Sequence, residues 1–145
     1  MKFHALISCL FGLLLLTHYS GLPDAGAQSS SLAQQEIMSR LKSSVMSADA
    51  AALADETMYS VEIAMFGEGR HYSRGQATLL LKNFFREFPP LDFEIENFTR
   101  TPSAGFIEGR YESSNSGDPI QMFFRLRLAS GKWKIRELLI EESDG

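Results

Sequence analysis

The chain is nearly devoid of cysteine and poor in histidine, which excludes several kinds of site. Of its 145 residues, one is cysteine and three are histidine. Cys9 lies in an apolar run near the start, and a single cysteine can form no intramolecular disulfide. If that run is removed as a leader, no thiolate remains for catalysis or metal binding. His71 is then the one histidine left, so we expect no histidine-based metal site.

Basic residues are also scarce relative to acidic ones. The chain has 14 lysines and arginines against 18 acidic residues, a net charge of −4. Proteins that bind nucleic acid carry an excess of basic residues on the binding face, so we expect no nucleic-acid partner. No nucleotide-binding glycine loop, Ser-His-Asp arrangement or zinc-ligand spacing is present, and we expect no cofactor.

The apolar run has the form of a signal peptide. It extends from Ala5 to Leu16, and the polar stretch after it ends in the small residues Ala25-Gly26-Ala27. A spanning helix would need roughly 20 apolar residues. A lipoprotein would need a cysteine after the run, but Cys9 lies inside it. We therefore expect a signal peptide at 1–27, export to the periplasm or the medium, no membrane span after cleavage, and one domain at 28–145.

The exported part combines helical and strand patterns. Apolar spacing predicts helices at about 32–46 and 50–54, a strand at 58–65 and a brief paired strand at 70–72. Ser73 and Gln76 have the spacing of a capping box before a helix rich in phenylalanine, which Pro89 ends.

Four more strands follow the proline, and short turns join them. Such turns make the pairing antiparallel. The sequence therefore predicts an α+β fold with two N-terminal helices, in which a curved antiparallel sheet wraps around the long helix as a cone. The four strands are predicted at 92–100, 104–114, 119–129 and 132–142.

A two-residue loop at Ser130-Gly131 predicts which face each strand residue takes. It points the even-numbered residues from Ile120 to Leu128 toward the helices, and it places Glu137 opposite Phe124 on this inner face. Five apolar side chains are predicted to line a pocket inside the cone: Phe84, Phe93, Met122, Phe124 and Trp133.

The same register sends apolar side chains to the outer face. Large exposed apolar patches commonly mark interfaces, so we expect a homodimer through the sheet. The alternatives are that the N-terminal segment covers the patch or that its residues are scattered singly. The predicted patch contains Phe98, Phe106, Phe123, Leu138 and Ile140.

Four cations also fall on or near the outer face. They could form an anion-binding patch, which Glu108 and its neighbours would partly neutralise. The alternative is an ordinary solvated or interface surface. The four are Arg125, Arg127, Lys134 and Arg136.

The order of elements resembles that of the nuclear transport factor 2-like superfamily, which includes ketosteroid isomerases, polyketide cyclases and non-catalytic modules. Within it, the chain is similar to an uncharacterised family of secreted bacterial proteins known only as a domain of unknown function. The resemblance implies a cone fold and frequent dimerisation, but no particular reaction. It is carried by Tyr72-Ser73, Gln76-Ala77, Phe84-Phe85 and the closing segment from Trp133 to Leu138.

Two functions follow from this reading. The first is an exported, non-catalytic module that dimerises through its sheet and holds a small apolar ligand or contacts an envelope protein. The alternative is a cofactor-free isomerase, dehydratase or hydrolase of the polyketide-cyclase kind. In that enzyme Glu137 would be the general base, and Tyr59, Tyr111 and Asn97 would donate hydrogen bonds to a developing oxyanion. The sequence names no ligand, substrate or partner.

Overall fold

Three helices and six strands make up residues 25–143, the part of the chain that the computed structural model describes. Most of the expected signal peptide, residues 1–24, lies outside the described residues. The helices are α1 (Ala25–Met46), α2 (Ala50–Asp55) and α3 (Arg74–Glu87). The strands are β1 (Thr57–Met65), β2 (Arg70–Ser73), β3 (Pro90–Arg100), β4 (Ala104–Ser113), β5 (Ile120–Ala129) and β6 (Lys132–Glu142).

The helix ends follow local hydrogen bonding. Ser73 caps α3 in the expected capping box: its backbone N–H donates to Gln76 Oε1 at 2.9 Å, and Gln76 N–H donates to Ser73 Oγ at 3.4 Å. Helix α1 begins earlier than predicted. Ser31, just before the predicted start, donates its hydroxyl to the carbonyl of Gln28 at 2.9 Å. A serine that bonds back to a preceding carbonyl lets the helix continue through it. Among the described residues, no helix is long and apolar enough to cross a membrane.

The strands form one sheet in the order β2-β1-β6-β5-β4-β3. The α+β fold with two N-terminal helices is confirmed. The expectation of a wholly antiparallel sheet is wrong, because β1 pairs with β6 in parallel while the other four pairings are antiparallel. A parallel pair needs a long connection, which here runs through β2, α3 and β3–β5.

The inner face of β5 is buried against the helices as predicted, except at its end. Ile120, Met122, Phe124 and Leu126 are at most 3% exposed, and they belong to one core with side chains of all three helices. Leu128, which was predicted to join them, is exposed. The two-residue loop is also confirmed, since Ala129 pairs with Lys132. Positive φ angles at Ser130 and Gly131 suit the tight hairpin.

A β-bulge in β6 changes the predicted faces beyond it. Leu126 pairs with Ile135, but Arg125 pairs with Glu137, so Arg136 is one extra residue on the β6 side. A bulge reverses the alternation of the strand after it. Glu137 therefore lies on the outer face, whereas Leu138 and Ile140 are buried in the core. The predictions that Glu137 points inward and that Leu138 and Ile140 point outward are wrong.

A second bulge, in β3, has the same effect there. Ile95 pairs with Gly109 and Asn97 pairs with Glu108, which leaves Glu96 as the extra residue. Phe98 therefore packs against the core, edge to face with Trp133 at 6.3 Å between ring centroids. Asn97 takes the outer face instead. The prediction that placed Asn97 inside and Phe98 outside is wrong.

The β4–β5 pairing keeps the predicted faces of two phenylalanines. Glu108 lies opposite Phe123, and Phe106 lies opposite Arg125. Residues that are directly paired point to the same side of a sheet. Phe106 and Phe123 are therefore on the outer face, as expected.

The bulge in β6 predicts that substitution of two neighbouring leucines lowers the stability of the protein to different extents. Replacement of Leu138 by alanine should lower the free energy of unfolding by about 2–5 kcal/mol, because it opens a cavity in the core. Leu139→Ala, on the half-buried outer side, should cost less than about 1 kcal/mol. Urea denaturation of both variants measures the difference. Equal losses, or the reverse order, would contradict the assigned register.

Candidate functional site

The four predicted catalytic residues do not come together. Glu137 lies outside the sheet, where Arg125 Nε is 3.4 Å from its Oε2. Asn97 donates to Glu108 Oε2 at 3.4 Å on the same outer side. Tyr59 is 88% exposed, and only Tyr111 lies in the interior. The proposed general base is thus separated from its proposed hydrogen-bond donors by the sheet itself.

Tyr111 has a structural contact in the interior. Its hydroxyl donates a hydrogen bond to the carbonyl of Phe88 at the end of α3, and its ring lies 5.4 Å from that of Phe84. Burial disfavours the charged phenolate and therefore raises the pKa of Tyr111 above its ordinary value of 10.0. The side chain joins the end of α3 to β4.

The five residues predicted to line a pocket pack against other core residues. Phe93 and Phe124 meet edge to face at 6.3 Å, and the ring of Phe93 lies over Gly109, where an added Cβ would be 2.5 Å from it. The four best-formed surface cavities among residues 25–143 are lined by other residues. The five predicted pocket residues form the centre of the core.

The main candidate site is a cavity of about 570 Å³ on the outer face of the sheet, which we call the arginine cavity. It lies where the end of β3 and the following turn meet β4, β5 and β6. Four arginines line it, together with residues that carry hydroxyl groups and the apolar residue Phe106. Its charged residues are Arg100, Arg125, Arg127 and Arg136, and the rest of its lining includes Thr99, Thr101, Ser103, Phe106 and Leu126.

The four arginines of this cavity differ in their contacts with other side chains. Arg125 pairs with Glu137, and Arg100 Nη2 donates to Ser30 Oγ at 3.2 Å. Neither Arg127 nor Arg136 has an ion pair or side-chain hydrogen bond with any residue of 25–143. Two exposed guanidinium groups are therefore left without a protein partner.

Lys134, which the sequence grouped with these arginines, has a different role. It lies opposite Arg127 in the strand pairing, but its Nζ donates to the carbonyl of Asp55 at 2.7 Å and lies 3.8 Å from Glu56 Oε2. Glu56 is buried and also meets Arg40 Nε at 2.8 Å. This cluster joins α1, the end of α2 and β6, and it directs the lysine away from the arginine cavity.

Next to the arginine cavity is a small apolar surface, which we call the phenylalanine patch: Phe106, Phe123 and Leu139. The two rings are stacked, with centroids 5.9 Å apart and planes 9° from parallel. A cavity of about 180 Å³ lies between these three residues, Arg125 and Glu137. Apolar and charged groups thus adjoin on this part of the outer face.

Sequence reasoning missed Arg100 and Leu139. Arg100 ends β3, and the turn at 101–103 brings it to the cavity. The backbone N–H of Thr101 closes this turn by donating to the carbonyl of Ala104 at 2.8 Å. Strict alternation in β6, without the bulge, would place Leu139 inward. Within residues 25–143, no three His, Cys, Asp or Glu side chains are grouped so that they could hold a metal ion.

Comparison with known proteins agrees with this architecture. A model of the family described as a domain of unknown function, DUF4783, matches residues 38–141. The chain belongs to the DUF4783 family. No curated protein sequence matches it.

Solved structures show the same fold at low sequence identity. A DUF4783 protein from Bacteroides uniformis is 15% identical, with a TM-score of 0.68 over 74% of this chain and 97% of that one. An NTF2-like protein of unknown function from Shewanella baltica is also 15% identical, with a TM-score of 0.64 over 81% and 97%. A cystatin-like domain of unknown function from Nostoc punctiforme is 10% identical, with a TM-score of 0.62 over 84% and 81%. The predicted NTF2-like fold is confirmed.

Replacement of Tyr111 by phenylalanine tests its structural contact. The variant should lose about 1 kcal/mol of unfolding free energy at neutral pH, because the hydrogen bond to the end of α3 is removed. Above pH 10.0 the unfolded wild-type chain releases the Tyr111 proton while the folded chain retains it, so the stability from this group falls.

The gap between the free energies of unfolding of the wild type and Tyr111→Phe should therefore close and then reverse above pH 10.0, changing by up to about 1.4 kcal/mol per pH unit. Chemical denaturation of both proteins between neutral and alkaline pH measures it. A gap that stays constant with pH would contradict the raised pKa.

Proposed function

We propose that this protein is an exported, non-catalytic interaction module that works through the outer face of its sheet and forms a homodimer there. The phenylalanine patch is the observation that carries the proposal. Its stacked rings lie on the outer side, while the inner side of the sheet is covered by the core. Apolar side chains that the protein's own helices do not cover favour association with another protein surface.

The predicted dimer surface is revised accordingly. Phe106 and Phe123 remain in it, Leu139 joins them, and Phe98, Leu138 and Ile140 belong to the core side. A two-fold dimer brings the same patch of both subunits together. Arg125 and Glu137 at the edge of the patch supply charges of both signs, so each could face the opposite charge of a second copy.

The size of the patch limits the strength of this contact. A stable interface buries about 800 Å² on each partner, more than three apolar side chains provide. Polar and charged neighbours of the patch outside the arginine cavity, such as Glu108, Gln121 and Glu141, must therefore take part. An envelope protein could occupy the same face, but the mixed charges beside the patch favour a second copy.

The geometry gives no support to the two interior functions. An enzyme of the polyketide-cyclase kind would need Glu137 within the fold, yet this carboxylate pairs with Arg125 on the outside. A small apolar ligand inside the cone would need space between side chains such as Met122 and Phe124, which are fully buried in the core. The outer face is the better-supported binding surface.

Replacement of Phe123 by glutamate tests the dimer. The wild type should sediment as a dimer at tens of micromolar, a concentration at which an interface of ordinary size forms. The variant should sediment as a monomer, because it places a charge at the centre of the apolar contact. Its circular dichroism and melting temperature should match the wild type.

Leu79→Glu is the matched control, since Leu79 is an exposed leucine on α3, away from the outer face. It should leave the dimer intact. A wild-type monomer at high micromolar concentration would rule out self-association. Loss of the dimer in both variants would show that the effect is not specific to the patch.

Export is tested by expressing the full-length chain in a bacterial host. The apolar run and the small residues before Gln28 predict that the protein outside the cytoplasm begins at Gln28. N-terminal sequencing of the periplasmic and medium fractions determines the site. A variant with Leu14 and Leu15 replaced by arginine should remain in the cytoplasm at full length. An uncleaved wild-type chain in the cytoplasm would contradict export.

A further inference from the structure

We propose that the arginine cavity binds a small organic anion that carries two or more negative charges on phosphate or carboxylate groups. The inference rests on the lining of the cavity and does not depend on the homodimer. The arginine cavity and the phenylalanine patch are adjacent but have different centres: Arg127 and Arg136 line only the first, and Phe123 and Leu139 only the second.

The cavity concentrates positive charge in an acidic protein. The chain has a net charge of −4, yet four of its nine arginines line this one cavity, and no acidic residue does. Glu137 offsets one of the four charges through Arg125. A cationic concavity in an otherwise acidic protein raises the local concentration of anions and repels cations.

Two of the guanidinium groups are available to a ligand. Arg127 and Arg136 are exposed, and neither meets a carboxylate in residues 25–143, whereas Arg40, Arg74 and Arg110 all do. Lys134 lies opposite Arg127 in the strand pair, but its ammonium group turns away to Asp55 and Glu56.

The scaffold holds the lining in place. The backbone N–H of Leu128 donates to the carbonyl of Ser103 at 3.0 Å, and that of Ala104 donates to Thr101 Oγ1 at 3.1 Å. These bonds fasten the turn after β3 against β4 and β5. Arg136 is presented by the bulge in β6. Groups carried by strands and a hydrogen-bonded turn lose little freedom when a ligand binds.

The use of arginine rather than lysine indicates the chemical class of the ligand. All four charged residues of the cavity are arginine, although the chain also has five lysines. The planar guanidinium fork makes paired hydrogen bonds with phosphate or carboxylate, which the ammonium group of lysine cannot match. The volume of about 570 Å³ lies in the range of small-molecule sites. Phe106 offers an apolar wall to a carbon skeleton.

Isothermal titration calorimetry with inorganic pyrophosphate and with citrate tests the proposal. At about 20 mM salt, where exposed charges are little screened, at least one of the two should bind with a stoichiometry of one per chain. Arg127→Gln and Arg136→Gln should each weaken that binding about tenfold, because each removes a charge-assisted hydrogen bond. Both residues are exposed, so neither variant should change the melting temperature.

Arg110→Gln is the matched control. It removes a guanidinium group from the same outer face, but Arg110 pairs with Glu112 at 3.0 Å and lies outside the cavity. It should leave the affinity within about twofold of the wild type. Preference for pyrophosphate assigns phosphate chemistry to the site, and preference for citrate assigns carboxylate chemistry.

Two results would overturn the proposal. One is that neither anion binds at low salt up to millimolar concentration. The other is that the loss of binding is the same in Arg110→Gln as in Arg127→Gln, which would indicate a general surface charge effect. Sedimentation of the same proteins measures dimer formation independently of anion binding. A failure of the dimer proposal can therefore be distinguished from a failure of the anion proposal.

Discussion

The extra residue at Arg136 in β6 is the constraint on which the division between core and surface depends. A strand alternates its side chains, and one added residue reverses every position beyond it. Leu138 and Ile140 therefore complete the core below the helices, and Glu137 and Leu139 go to the outer face. Without the bulge, a carboxylate would face Phe124 in the interior, where an unpaired charge is strongly unfavourable. One backbone irregularity thus keeps the inner face apolar and the outer face charged.

Much of the fold could be predicted because local signals agree there. The capping box at Ser73, the proline that follows α3 and the tight loop at Ser130-Gly131 each have a specific backbone requirement. The alternation in β5 is unambiguous since apolar and basic residues alternate from Phe124 to Leu128. The parallel pairing of β1 with β6 left no such signal, because it joins segments distant in the chain and depends on how the whole sheet closes.

The candidate site could be predicted only in part, for a physical reason. Leu138, Leu139 and Ile140 are all apolar, so either phase of β6 places at least one of them in the core, and the pattern cannot reveal the bulge. Arg125 and Arg127 were assigned to the outer face from alternation alone, and the structure places them there. Arg100 joins them through a turn whose closure depends on backbone hydrogen bonds, which leave little trace in the order of side chains.

The bulge also determines the charge balance of the outer face. It places Arg136 and Glu137 on the same side at consecutive positions, opposite the single residue Arg125. Glu137 turns toward Arg125, so the neutralised pair borders the phenylalanine patch, while Arg136 remains with the unpaired Arg127. An apolar surface edged by a neutral ion pair can approach another protein surface with little electrostatic repulsion. The adjoining cavity keeps its excess positive charge. The same extra residue therefore separates a surface suited to self-association from one suited to an anion.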